Sequence, residues 1–146
     1  LLIFKFKPMS VKLSEFKTYT GTENDGIGAN SVDTTTGDCF VTKTNEFVAK
    51  ATAGSEISGV SLTQKAFASD NETVTKARLG FIPVDVDNIY DVTISGGTVT
   101  VVDEGKYYDL LDSVVVDGTS ESTTTGQLRM VKFVSATNSK FKIANA

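Results

Sequence analysis

Asp85, Asp87, Asn88 and Asp91 fall within seven positions and form the densest set of oxygen ligands in the chain. Calcium binds such sets of carboxylate and amide oxygens. An EF-hand loop also needs a glycine and a terminal glutamate at fixed spacing, and DVDNIYD has neither. If the pleat is regular, Asp85 and Asp87 share one strand face. Acids of a turn and of a solvent face are the preferred reading, and no metal is expected. Asp103/Glu104 and Asp109/Asp112 are the other carboxylate pairs that acid–base chemistry would need. A glycosidase also needs a sugar cleft of stacked aromatics. The chain has no tryptophan, and its four tyrosines are Tyr19, Tyr90, Tyr107 and Tyr108.

The remaining reactive groups are few. With no histidine in the sequence, Ser–His–Asp and Cys–His nucleophiles and the usual zinc and iron ligand sets are excluded. Cys39, the single cysteine, has no internal disulfide partner and reads as a small core residue rather than a reactive thiol. Gly26-Ile27-Gly28 lacks the lysine and following helix of a phosphate loop. Asn71-Glu72-Thr73 matches the glycosylation sequon, which matters only in a secretory context. Tyr107, Tyr108 and Phe133 read as core or interface aromatics. No catalytic residue and no cofactor is expected.

The elements that would carry these residues are strands. Val, Ile and Phe alternate with Thr and Ser, a pattern suited to a pleated, half-buried surface. Strands are expected at 39–42, 47–51, 57–62, 74–78, 80–86, 89–94, 98–102, 106–111, 113–116, 128–134 and 140–143. Ser95-Gly96-Gly97 predicts a hairpin joining 92–94 to 98–101, because glycine supplies the positive φ of a tight turn. The unbroken run Val114-Val115-Val116 predicts burial on both faces. One or two helical turns fit 61–70, and one fits 107–111. Short strands with turn signals at this spacing indicate a small barrel or sandwich. At 146 residues, one domain has enough core without staples.

The charge is uneven. Lys5, Lys7, Lys12 and Lys17 against Glu15 give the first seventeen residues +3, which leaves −7 for the rest of a chain of net −4. An acidic body disfavours phosphate neutralisation as the main task, so nucleic acid is not an expected partner. No apolar run approaches the ~20 residues of a membrane span, and Leu1–Phe6 lacks the cleavage site of a signal peptide. Met9 would serve as a start, so residues 1–8 are either upstream of it or the remainder of a longer product. Residues 1–20, broken by Pro8, predict an extended basic arm or a lysine-protected edge strand. Residues 21–37, rich in Gly, Asn, Asp and Thr, predict a surface loop, and 38–146 a single β domain.

The segment from Gly37 to Ile94 resembles the small capsid decoration, or cement, proteins of tailed bacteriophages. The resemblance lies in the order Gly37-Asp38, Phe40-Val41, Lys50-Ala51-Thr52-Ala53-Gly54 and Ile57-Ser58-Gly59-Val60. Ser95-Gly96-Gly97 and Gly105-Lys106-Tyr107-Tyr108 follow, so that about residues 37–116 are covered. The length of the arm and of the 21–37 loop departs from that pattern, as does the 119–125 loop. The resemblance implies an all-β, β-barrel or β-tulip-like domain with an extended N-terminal arm. It also implies a location on the virion, bound to the major capsid protein on the shell's outer surface, commonly as a trimer. The arm would dock by strand addition, with Phe4, Phe6, Val11, Leu13 and Phe16 as apolar anchors. A tail or fibre component, or a filament subunit assembling by strand donation, is the alternative.

Overall fold

The computed structural model describes residues 12–15, 24–85 and 87–144. It is nearly all β, as expected, with 46% of the described residues in strands and 7% helical. Five strands close a small barrel: β2 (Asn24–Gly28), β3 (Phe40–Thr44), β4 (Phe47–Lys50), β5 (Gly59–Ser61) and β6 (Arg78–Pro83). They run in the order β2-β4-β3-β5-β6. All pairings are antiparallel except β2–β4, where Ile27 lies opposite Phe47. The interior holds Cys39, Val41, Val48, Phe67, Leu79 and Phe81.

The second sheet combines β1 (Lys12–Glu15), β7 (Ile89–Ser95), β8 (Tyr107–Tyr108), β9 (Leu110–Asp112), β10 (Val115–Asp117), β11 (Leu128–Ser135) and β12 (Asn138–Ile143). Its order is β8-β11-β12-β7-β10-β9, and β1 also pairs with β7. A larger core lies between this sheet and the barrel. Phe40, Ala51 and Ile57 enter it from the barrel side and meet Tyr90, Val92, Ile94, Tyr108, Leu128, Met130 and Phe141. Phe40 and Tyr90 pack edge to face with centroids 5.5 Å apart, a geometry that adds to the area they bury.

Several local expectations give way to tertiary structure. Asn24–Gly28, inside the stretch read as a surface loop, is a barrel strand. Its glycines are there for space: a Cβ on Gly26 would lie 2.7 Å from the Glu46 carbonyl oxygen, and one on Gly28 2.5 Å from the Phe67 ring. The 92–101 hairpin does not form. Gly96 turns the chain at φ 76°, but Val101–Asp103 is a 3-10 turn, and Gly97 abuts Gly118 so closely that a Cβ on Gly118 would sit 2.6 Å away. That contact docks the end of β10 beside β7, with Gly118 N–H donating to the Ser95 carbonyl at 2.8 Å.

Of residues 74–78, read as a strand, only Arg78 is in one, as the start of β6. Asn71–Thr75 forms one π turn, closed where the Asn71 side chain accepts from Ala77 N–H and donates to its carbonyl. The helical turns expected at 61–70 and 107–111 are absent; Ala66 bridges Asp33, and the second stretch forms β8 and β9. Val115 and Val116 are buried, while Val114 is half-buried.

Candidate docking edge

β7 is the hub of the larger sheet. Its sequence, IYDVTIS, buries Ile89, Tyr90, Val92 and Ile94 and leaves Asp91 and Thr93 half-exposed. One edge pairs with β12, from Asn138 opposite Thr93 to Phe141 opposite Tyr90. The other edge is shared by two strands. β10 runs parallel to it, with Val115 opposite Thr93 and Asp117 opposite Ser95. β1 runs antiparallel, with Lys12 opposite Asp91, Leu13 opposite Tyr90 and Glu15 opposite Ile89, and the register slips between Leu13 and Glu15. A piece of the N-terminal arm therefore lies on a sheet edge as a strand. Of the expected anchors, Leu13 is in β1; Phe4, Phe6, Val11 and Phe16 lie outside the described residues.

The acids nominated from the sequence serve local structure. Asp85 Oδ1 accepts the Asp87 N–H at 2.8 Å, which makes a turn. Asp91 accepts from Lys140 Nζ at 3.0 Å. Asn88 is buried. Among the described residues no three of His, Cys, Asp or Glu gather as metal ligands would. Asp103 accepts Thr100 N–H and closes a capping box; Glu104 accepts Phe133 N–H. Asp109 accepts Gln127 N–H and Asp112 accepts Val114 N–H.

Lys106 joins Asp103 and Glu121. Those two hydrogen bonds, Glu121's first, hold its ammonium well above the ordinary lysine range, so it is a poor nucleophile at neutral pH. Asp103 is held below the ordinary carboxylate range, chiefly by Thr100 N–H and then by Lys106. Burial, with the nearby charges of Asp103 and Glu121, pushes the Tyr108 phenol up to about 12. The same ring packs edge to face on Phe141 at 6.0 Å. Tyr107 is half-buried under the Arg129 guanidinium, and Phe133 packs against the larger core.

Cys39 is buried beside Ser61, whose hydroxyl lies 3.5 Å from Sγ. Burial pushes its thiol up, which keeps it protonated and unreactive. The sequon asparagine is sealed in as well: Asn71 is fully buried, and Nδ2 donates to the Gly28 carbonyl at 2.6 Å.

One residue with no sequence signal ties the two halves together. Gln127 is 1% exposed. Its Oε1 accepts Leu110 N–H at 2.8 Å, and its Nε2 donates to the carbonyls of Thr52 and Ser55 at 2.9 and 2.5 Å. The connection after β4 is thereby clamped to the sheet. Nothing in the TTTGQLRM run sets that glutamine apart from a surface one. No family model matches the chain, and no curated protein matches it.

Proposed function

We propose that this chain is a non-enzymatic virion structural protein. It binds the outer surface of an assembled phage capsid and stabilises contacts between major capsid subunits, acting as a homotrimer. One observation carries the reading: Lys12–Glu15, within the basic and apolar N-terminal arm, takes strand form on a sheet edge. A segment that pairs in this way offers main-chain hydrogen bonds to another edge, which is how strand addition gives affinity. The charge contrast between a +3 arm and a −7 body supports an arm that docks on acidic surface. The resemblance over residues 37–116 supports the shell as its place. Binding only the assembled shell would stabilise that state by mass action, and many copies would multiply the effect.

The test is to band a lysate of the source on a density gradient and search each fraction for the tryptic peptide Leu79–Lys106. Migration with DNA-filled capsids, in fixed ratio to a major shell protein, is the expected result; retention among soluble proteins would refute stable attachment. Removing residues 1–17 should abolish shell binding and leave the barrel folded. The same edge strand favours a second reading, a tail, fibre or filament subunit assembling by strand donation. Filament growth from purified protein would select it over closed trimers.

A further inference from the structure

The β7 edge at Ile89–Asp91 is a bounded opening. β10 begins at Thr93 on the same edge, so the stretch that β1 covers fits a strand no longer than one like Lys12–Glu15. β10 pairs on its far side with β9 and sends Val115 and Val116 into the interior. For β1, the strand pairing found among the described residues is with β7, interrupted by a register slip. A ladder of three pairs with a slip inside it is a weak hold, of the kind that opens by local unfolding.

The tether sets the range of that exchange. Eight residues, 16–23, separate Glu15 from Asn24. The nine steps from Glu15 to Asn24, at about 3.3 Å each, reach at most roughly 30 Å, against a radius of gyration of about 15 Å for a domain of this length. A tether of that length is comparable with the width of the domain, which lets β1 be offered to the same edge of an adjoining copy. There the ladder, the register and the placement of Lys12 opposite Asp91 are identical, so exchange gives up no hydrogen bond. The +3 arm and −7 body attract between copies as they do within one.

We propose that the Ile89–Asp91 edge is a strand socket for a second copy of this chain. Copies exchange β1, so that each such strand completes its neighbour's sheet and closes a symmetric oligomer. Exchange of identical elements is a low-cost route to such assemblies. The inference concerns the same arm as the proposed function, but it needs no shell and is tested on purified protein; its failure would remove the trimer and leave shell binding by the arm to be judged by the density gradient.

The experiment combines K12C and D91C, two facing positions, in one chain and oxidises the double variant. Buried Cys39 stays silent under native conditions. Non-reducing electrophoresis with peptide mapping should show the disulfide between positions 12 and 91 in species of two or more chains. Light scattering should show an oligomer for the whole chain and a monomer once residues 1–17 are removed. A bridge confined to single chains overturns the proposal. So does a whole chain that stays monomeric at every concentration, or an oligomer that survives removal of residues 1–17.

Discussion

Replacing Gln127 by methionine tests whether the clamp between the barrel and the sheet is made by its amide. Methionine keeps the length of the side chain but supplies no strong donor or acceptor. The Leu110 N–H then loses its partner in a buried setting, at about 1–3 kcal/mol. The Thr52 and Ser55 carbonyls lie on the exposed connection after β4 and regain water. Their loss is about 0.5–1 kcal/mol each. Added apolar burial offsets about 1 kcal/mol. The net expectation is a loss of roughly 1–4 kcal/mol, and its middle, about 2.5 kcal/mol, is equivalent to about 5–10 °C in Tm for a domain of this size. Urea unfolding followed by circular dichroism reads it as a lower midpoint at unchanged slope. At pH 7, Q127E should be at least as damaging, because it turns a carboxylate toward two carbonyl oxygens. A loss below about 1 kcal/mol in both variants would show that the amide bonds contribute little, and would refute the reasoning from unsatisfied buried groups.

Gly28→Ala drives a Cβ into the Phe67 ring and should cost about 1–3 kcal/mol as overpacking. The double variant G28A/F67L should cost less than the two single changes added together; strict additivity in thermal unfolding would argue against that contact. Asp25, Asp33, Asp103 and Asp117 are each held below the ordinary carboxylate value, chiefly by Arg78, Thr35, Thr100 and Thr119 respectively. Depressed carboxylates stabilise the fold above their ordinary pKa and lose that contribution as pH falls through the folded one. Stability measured by denaturant titration should therefore decline below about pH 4, and a midpoint unchanged from pH 5 to pH 2.5 would contradict it. Cys39 should react with a thiol reagent only in denaturant; rapid modification of the native protein would show that the barrel opens readily.

The fold class was legible because strand chemistry is local. Alternating Val, Ile, Phe and Thr marks β3, β4, β7, β11 and β12 close to their observed bounds. What failed was pairing. Ser95-Gly96-Gly97 promises a hairpin, yet β7 takes its partners from residues 12–15, 115–117 and 138–141. β2 was hidden because Gly26 and Gly28 look like loop residues, whereas they answer to the crowding of Val48 and Phe67. Asn71 and Gln127 show the same limit. Each is a polar residue in a polar run, and burial among backbone groups from distant segments gives it its task. Apolar pattern alone nominates the arm's anchors, and of these only Leu13 falls on a described strand.

The late position of β12 in the chain shapes how the protein is made. The barrel strands all lie between Asn24 and Pro83, so every one of them is synthesised before β7. The barrel's outward-facing Phe40, Ala51 and Ile57 belong to the core shared with the second sheet. That sheet has a gap at its centre until residues 138–143 arrive to sit between β11 and β7. Until then Phe40, Ala51 and Ile57 lack the side chains of the second sheet that cover them in the finished fold. Pairings this distant in sequence form slowly, and during that interval the exposed face is open to other nascent copies.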